Sequence, residues 1–403
     1  MNTVIIIGGG ASGMMAALTA AEDRNNRVLL LERQQRLGRK LLSTGNGRCN
    51  LTNTGAAPAN YHGERPGFAE AALSAFPPQA ALDFFHGLGL ITVEEPGGRV
   101  YPLSDSANSV LDVLRFALSE RGVELITACP VKTIRRSGRG FALSTEQGDY
   151  QAHQVIVACG GAAGARLGGV TDGYTLLAAL GHKRTKLLPA LTPLLTAPEY
   201  PRALKGVRAD GELRLISGGK TLARSRGDIQ FTDRGVSGPA AFDISRAAAA
   251  AGEGAALSLG FMRGYSTEEI GALLRTRREV FPKLEAAELF TGMVHNRLGK
   301  MLVKYSGIEA AKKIGALTDE ELYTAAVACS DFRLPLRGVE GFDSAQVTAG
   351  GVETRGFDPK TLQSRLTPGL FACGEVLDVD GDCGGYNLQW AWASGRTAGR
   401  LGK

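Results

Sequence analysis

The chain has few of the features that mark nucleic-acid-binding proteins. Only 6% of its 403 residues are aromatic, and no run of Lys and Arg exceeds three residues. Because nucleic-acid-binding surfaces usually combine basic clusters with aromatic side chains, we expect no nucleic-acid partner. The net charge of +6 suits an anionic ligand, and an RNA-modifying flavoenzyme stays open as the weakest alternative.

Long apolar runs are absent as well. No stretch approaches the ~18 residues that a membrane helix needs, and the first apolar run begins after three residues without a charged segment before it. We therefore expect a soluble, cytoplasmic protein with no membrane partner.

The cysteines and histidines form no recognisable site. The six cysteines contain no CxxC pair and no zinc-ligand spacing, and the five histidines form no metal pattern. We expect reduced thiols and no metal. Cys49 and Cys383 are interpreted as packing residues, since neither has the partner that a disulfide-reductase mechanism requires.

Glycine, in contrast, is abundant, with 54 residues. The first cluster follows an apolar run over 4–7 and precedes a helical segment over 14–21; a second apolar run over 28–31 ends at Glu32. Strand, glycine turn, helix and strand together predict a βαβ unit.

This unit carries the pattern of a dinucleotide site. Gly8, Gly10 and Gly13 have the fingerprint spacing, which lets the backbone approach a pyrophosphate at the N-terminus of a helix. Glu32 lies about 20 residues further on, where an acid accepts hydrogen bonds from the adenosine ribose. The sequence therefore predicts a bound dinucleotide.

The C-terminal part of the chain favours FAD over NAD. A strand over 369–373 stops at Gly374 and Glu375, before a glycine-rich turn and a helix over 386–401. This strand brings the Glu375 carboxylate back to the predicted dinucleotide site. Such a carboxylate suits a ligand with a long polyol, which FAD has and NAD lacks. An ordinary surface turn is the alternative.

The sequence pattern changes after about residue 187, where short strand-like segments replace the alternation of strands and helices. We predict a discontinuous FAD-binding domain over 1–187 and 340–403, and an inserted substrate or cap domain over 188–339. Alternation over 212–216 with the turn at Gly218 and Gly219 predicts an antiparallel hairpin. Within a helical part over about 266–330, the predicted helices are 267–276, 283–289, 294–305 and 318–328.

The loop over 38–53 is dense in Gly, Asn, Thr and Arg, which suits contact with an anionic, hydrogen-bonding ligand. Arg39, Lys40 and Arg48 would either neutralise a pyrophosphate or lock the loop through carboxylates. A purely solvated loop is the alternative.

Several motifs together resemble one family. They are GGGASG at 8–13, GRKLLSTGNGRCNLTN at 38–53, GRVYPLSDSA at 98–107, ACGG at 158–161, FTDRGVSGPA at 231–240, QVTAGGV at 346–352 and GEVLDVDGDCGGYNLQWAWASG at 374–395. They are similar, in order and over essentially the whole chain, to motifs of the BaiN-like, or aminoacetone-oxidase-like, family of bacterial FAD-dependent flavoproteins.

The resemblance implies an α/β fold: a Rossmann-like FAD-binding domain of the two-dinucleotide-binding-domain type with an inserted β-barrel-like and helical domain. It places Val131 at the adenine, Gly374 and Glu375 at the ribityl chain, and Tyr386 with the next two residues at the isoalloxazine. The residues predicted to contact FAD are Gly8, Gly10, Ser12, Gly13, Glu32, Arg33, Arg39, Lys40, Thr44, Gly45, Asn46, Val131, Gly160, Gly374, Glu375, Tyr386, Asn387 and Leu388.

The resemblance also implies an FAD-dependent oxidoreductase, in a family that reduces activated C=C bonds such as those of bile-acid enones, or oxidises small amines with oxygen. We predict a reductase of a small-molecule enone, with NADH or NADPH as the candidate electron donor. An amine oxidase and a non-enzymatic flavin redox sensor are the alternatives.

Tyr386 and Tyr101 are the predicted catalytic residues, because a phenol can supply the proton that C=C reduction needs. Tyr101 stands where the family more often has Phe. Asp233 stands where the family usually has His, so no histidine can act at that position.

Overall fold

The computed structural model describes residues 1–403. The chain divides into two compact units, Met1–Leu188 with Gln346–Lys403, and Pro189–Ala345. The strands are β1 Asn2–Ile7, β2 Asn26–Leu31, β3 Thr52–Asn53, β4 Tyr61–His62, β5 Thr92–Glu95, β6 Arg99–Pro102, β7 Glu124–Ile126, β8 Val131–Ser137, β9 Gly140–Thr145, β10 Gly148–Ala152, β11 Gln154–Val157, β12 Leu188–Ala190, β13 Leu194–Thr196, β14 Arg208–Ser217, β15 Lys220–Phe231, β16 Gly235–Ser237, β17 Ala256–Gly260, β18 Phe332–Val339, β19 Val347–Ala349, β20 Leu370–Ala372 and β21 Asp380–Gly381.

Eleven α-helices accompany these strands, and none of them combines the length and apolar character that a membrane span needs. They are α1 Ala11–Ala20, α2 Glu70–Ala75, α3 Pro78–Gly87, α4 Ala107–Glu120, α5 Asp172–Ala178, α6 Glu199–Ala203, α7 Pro239–Ala251, α8 Thr267–Val280, α9 Asn296–Tyr305, α10 Asp319–Ser330 and α11 Tyr386–Gly399.

The first unit is built on a five-stranded sheet in the order β20-β11-β1-β2-β7. Every neighbouring pair in it is parallel. The strands are apolar because helices and loops cover both faces of a parallel sheet; Ile5 and Ile6 of β1 and Val155 of β11 are 0% exposed. The predicted βαβ unit is therefore present.

The parallel strands all end at one edge of this sheet. Gly8 follows β1, Glu32 follows β2, Gly160 lies just beyond β11 and Gly374 just beyond β20. The chain leaves β1 through α1 toward β2 on one side, while β11 pairs with β1 on the other. Ligands of open α/β sheets bind where the strand order reverses in this way, so the fold places the predicted contacts at the expected edge.

Helix α11 completes the same unit by packing on α1. A Cβ on Gly395 would lie 2.4 Å from the carbonyl oxygen of Ser12, and one on Gly399 would lie 2.6 Å from that of Ala16. Only glycine permits this approach of two helix backbones. The small antiparallel sheets β10-β9-β8, β3-β6-β5 and β21-β4 also belong to this unit.

The second unit contains a closed barrel in the order β13-β16-β15-β14-β17-β18, with α8, α9 and α10. The predicted hairpin is present: β14 and β15 pair antiparallel on either side of Gly218 and Gly219. The predicted fold class, an α/β Rossmann-type unit with a barrel and helices, is confirmed.

One predicted helix in this unit, 283–289, is wrong. Only a single 3-10 turn forms there, over Ala286–Glu288. The backbone N–H groups of Ala286 and Ala287 donate instead to the carbonyl oxygens of Lys312 and Ala310. A neighbouring segment therefore takes the hydrogen bonds that a helix would have used.

We expect residues 1–188, produced alone, to lack a cooperative thermal transition and to retain no flavin. That fragment loses β20, the partner of β11, and α11, whose Trp390 and Trp392 are 2% and 0% exposed. The matched control joins 1–188 to 346–403 through a flexible linker and should fold. A soluble, yellow 1–188 fragment would contradict this expectation.

Candidate functional site

The turn after β1 combines glycines that the fold needs with one that leaves space. Gly8 has φ +109°, and a Cβ there would lie 2.5 Å from the carbonyl oxygen of Ala158. A Cβ on Gly13 would lie 1.8 Å from the carbonyl oxygen of Gly8, whereas one on Gly10 would meet nothing within 4 Å. Gly10 is also the N-cap of α1 and offers no side chain to cap it. The first N–H groups of α1 thus face an open position suited to an anion.

Glu32 is buried against this turn. Its Oε2 accepts from the Gly9 backbone N–H at 2.7 Å and its Oε1 accepts from that of Gln34 at 2.6 Å. Because a carboxylate oxygen can accept more than one hydrogen bond, Glu32 keeps acceptor capacity for a ribose hydroxyl. The backbone N–H of Cys129 donates to the carbonyl oxygen of Glu32. Val131, the predicted adenine contact, lies two residues after Cys129 and so near Glu32.

Residues from distant parts of the chain meet beside the start of α1. The Lys40 Nζ lies 2.6 Å from Oε2 of Glu375, whose Oε1 accepts from the Thr348 backbone N–H at 2.9 Å. Gly374 has φ +75°, and a Cβ there would lie 2.4 Å from Oγ of Ser12. The C-terminal Gly-Glu pair therefore lies against the start of α1 and Lys40.

Gly160 also borders open space: it has φ +73°, and a Cβ there would meet nothing within 4 Å.

Two arginines predicted to contact FAD pair with protein groups at the surface. The exposed Arg33 pairs with Asp172 at 3.0 Å, and Arg39 donates to Oε1 of Gln34 at 2.9 Å and to the carbonyl of Arg166 at 3.1 Å. These two guanidinium groups hold surface segments together.

The loop after Lys40 is shaped by left-handed backbone. Gly45 and Asn46 have φ values of +57° and +58°, and the backbone N–H of Cys49 donates to the carbonyl of Thr44 at 2.9 Å. Burial raises the pKa of the Cys49 thiol to about 12, which suits packing and not redox chemistry. The loop presents the buried Asn50, whose Oδ1 has no hydrogen-bond partner.

Asn50 faces the N-terminus of α11. A Cβ on Gly385, the N-cap, would lie 2.9 Å from Oδ1 of Asn50. Gly385 has φ +101° and provides no side-chain cap for the first N–H groups of α11, those of residues 386–388. An unpaired buried acceptor thus lies beside backbone donors. The pyrimidine edge of an isoalloxazine offers the complementary set, an N–H donor beside carbonyl acceptors, so these residues fit FAD.

The side chains at the start of α11 differ in their contacts. The Asn387 amide bonds the backbone N–H and carbonyl of Gly381, both at 2.8 Å, and so fastens the preceding loop. The Tyr386 ring meets that of Tyr61 edge-on at 6.4 Å between centroids, and the Tyr61 hydroxyl donates to the Tyr386 carbonyl at 3.1 Å. The strands β4 and β21 hold this arrangement.

Tyr101 is 7% exposed on β6. The Arg48 guanidinium lies 4.0 Å from its ring centroid and forms ion pairs with Glu95 and Asp105, so this arginine locks the loop through carboxylates as one alternative predicted. Burial raises the pKa of Tyr101 above its ordinary value. The phenol is therefore protonated at neutral pH and can donate.

Three groups in this region were not identified as site residues from the sequence. Asn50 was quoted only as part of a motif, Arg99 lies two residues before Tyr101 on β6, and the His62 Nε2 lies 2.7 Å from Oδ1 of Asp382. The alternation of side chains along a strand is the signal that could have placed Arg99 beside Tyr101. Asp233, by contrast, lies in the second unit, 3.5 Å from the Nζ of Lys205.

Comparison with known proteins identifies the family of this chain. The model of the family described as "HI0933-like protein Rossmann domain" matches residues 2–401. A 3-dehydro-bile acid delta(4,6)-reductase of Clostridium scindens is 39% identical over 372 residues, covering 92% of this chain and 91% of the relative. A ribosomal RNA dihydrouridine synthase of Escherichia coli is 30% identical over 361 residues, covering 89% and 87%.

Among solved structures, a flavocytochrome c3 fumarate reductase in its open conformation aligns over 99% of this chain and 78% of its own, with 18% identity and a TM-score of 0.48. The sequence-based prediction of family and enzyme class is confirmed by the family match and the 39% identical reductase. The chain thus belongs to the HI0933-like family and is an FAD-dependent oxidoreductase.

Proposed function

We propose that the protein reduces a C=C bond conjugated with a carbonyl group in a small apolar molecule such as a steroid enone. The observation that carries this proposal is the 39% identity, over 92% of the chain, with a reductase of 3-dehydro-bile acids. The phenol of Tyr386 beside Gly384 supports it, because saturating such a bond requires a proton as well as a hydride.

We assign the residues at the carboxyl end of β1 to FAD binding. The turn over 8–13 and the N-terminus of α1 bind the pyrophosphate, and Glu32 accepts from the adenosine ribose. Lys40 and Glu375 border the ribityl chain. Asn50, with the first N–H groups of α11, orients the ring edge.

Bound FAD, once reduced by NADH or NADPH, supplies hydride chemistry that no side chain provides. The chain's own task is to deliver a proton and to stabilise charge on the carbonyl oxygen as it develops. Tyr386 and Tyr101 are the candidate donors. Tyr101 holds its proton at the hydroxyl oxygen at neutral pH, because burial raises its pKa.

A second candidate is reduction of a uracil base in RNA. The 30% identical relative is a ribosomal RNA dihydrouridine synthase, and the net charge of +6 suits a polyanion. The chemistry is closely related, since dihydrouridine is uridine with two hydrogens added across a C=C bond conjugated with a carbonyl.

The test is anaerobic incubation of the FAD-loaded protein with NADH or NADPH and each substrate class in turn. We expect a 4-en-3-one steroid to gain two hydrogens, as measured by mass spectrometry, with matching oxidation of the nicotinamide. Gain of dihydrouridine in RNA without steroid reduction would favour the second candidate. Oxygen consumption driven by a small amine, with neither reduction, would contradict both and favour the oxidase.

A further inference from the structure

Arg99 shares a face of β6 with Tyr101. It is the first residue of the strand, and side chains two residues apart on a strand lie on the same face. Its Nε lies 3.4 Å from the position that a Cβ on Gly384 would take, and Cε2 of Tyr386 lies 3.5 Å from that position. Arg99 and Tyr386 therefore meet at one glycine, and Tyr101 lies two residues beyond Arg99 on the same face of β6.

Arg99 has no carboxylate partner, unlike its neighbour. The guanidinium of Arg48 is neutralised twice, by Glu95 and by Asp105. No ion pair or side-chain hydrogen bond engages Arg99, which is half-buried. A partly desolvated cation without a counter-ion is unfavourable unless a ligand supplies negative charge.

Arg99 is the group beside Tyr101 and Tyr386 that can offer positive charge to such a ligand. The phenol of Tyr101 is neutral at working pH, since burial raises its pKa, so it donates a hydrogen bond and adds no charge. A guanidinium stays charged at any pH the protein experiences and presents several N–H donors in one plane. Such a group suits an oxygen that becomes anionic during a reaction.

We propose that Arg99 binds the carbonyl oxygen of the substrate and stabilises the negative charge that it acquires. The inference rests on the proposed reduction of a conjugated C=C bond. Hydride from a reductant of the dihydroflavin class bonds to the carbon β to the carbonyl. The electron pair of the C=C bond then moves toward the carbonyl, and the oxygen takes enolate charge opposite Arg99. A proton from a neighbouring phenol or water bonds to the α carbon, which completes the saturated ketone.

The test measures ligand binding as well as turnover. The probe is 4-nitrophenolate, a planar anion whose oxygen resembles that of an enolate, added to the FAD-loaded protein at a pH where the probe is ionised. We expect Arg99→Gln to weaken its binding by about ten- to a hundredfold, the range for loss of a hydrogen bond to a charged group. Binding of neutral 4-nitroanisole should not change.

Three comparisons control this experiment. Arg99→Lys keeps the charge and should recover part of the affinity. Arg139→Gln removes the same charge from an exposed turn between β8 and β9 and should bind the probe as wild type does. FAD content and the thermal transition of each variant separate loss of the site from loss of the fold.

Turnover gives the second readout, since we expect Arg99→Gln to lower kcat for an accepted enone roughly a hundredfold. If the wild type reduces the enone and Arg99→Gln binds the phenolate as tightly as the wild type does, this inference is overturned and the proposed function stands. Loss of phenolate binding in a protein that reduces no enone would instead overturn the proposed function and keep the anion site.

Discussion

Gly10→Val should give a folded protein that no longer retains FAD. Gly10 has φ −80° and ψ −172°, which valine adopts readily, and a Cβ there meets no protein atom within 4 Å. The new side chain fills the space before α1 that we assign to the pyrophosphate. We expect the ratio of FAD to protein after purification to fall at least about tenfold, since ~1.4 kcal/mol of lost binding free energy already has that effect.

The controls for this experiment are two other glycines. Gly87→Val also enters open space, on the exposed surface of α3, and should keep its FAD. Gly13→Ala should lose FAD together with its fold, because its Cβ would lie 1.8 Å from the carbonyl oxygen of Gly8. Wild-type FAD content in Gly10→Val would show that the pyrophosphate binds elsewhere.

Tyr386→Phe should keep its FAD and the reduction of that FAD by the nicotinamide, yet lose much of its enone turnover. The phenol is the better candidate donor, because its ring lies beside Gly384 and the N-terminus of α11. Removing a general acid costs about 10²- to 10⁴-fold in rate. The measurement is kcat at saturating enone, normalised to bound FAD.

Tyr101→Phe is the matched variant, since it removes only the hydroxyl of the other candidate donor, which lies on β6. A large loss in Tyr101→Phe with little change in Tyr386→Phe would transfer the donor role to Tyr101. Near-wild-type turnover in both variants would mean that the proton comes from water or from another residue.

The dinucleotide turn was predictable because its signals are local. Gly8, Gly10 and Gly13 follow an apolar strand at fixed spacing, and Glu32 ends the next strand. The return of Glu375 to the same edge was also predictable, because Leu370–Ala372 reads as another buried strand ending in glycine. The roles assigned to these residues toward FAD remain predictions.

The interior of the site depends on pairings that composition does not reveal. Arg99 reaches Gly384 only because β6 pairs with β3 in one register and the C-terminal loop passes beside β3, where a Cβ on Gly385 would lie 2.5 Å from the carbonyl oxygen of Thr52. The choice for Arg48 between a ligand and a carboxylate was open in the sequence, and its long-range partners Glu95 and Asp105 lie beyond any local pattern. Likewise, the helix predicted over 283–289 does not form, because backbone N–H groups of this segment donate to carbonyl oxygens more than twenty residues away.

The central claim, reduction of a conjugated C=C bond with FAD as the immediate electron source, is tested most directly in a single anaerobic turnover. The FAD-loaded protein is first reduced with NADH or dithionite, freed of excess reductant, and then mixed with a 4-en-3-one steroid in the absence of oxygen. We predict that the yellow absorbance of oxidised flavin returns and that one saturated ketone forms for each flavin oxidised. A sample that stays colourless until oxygen is admitted, with the steroid unchanged, would contradict the account.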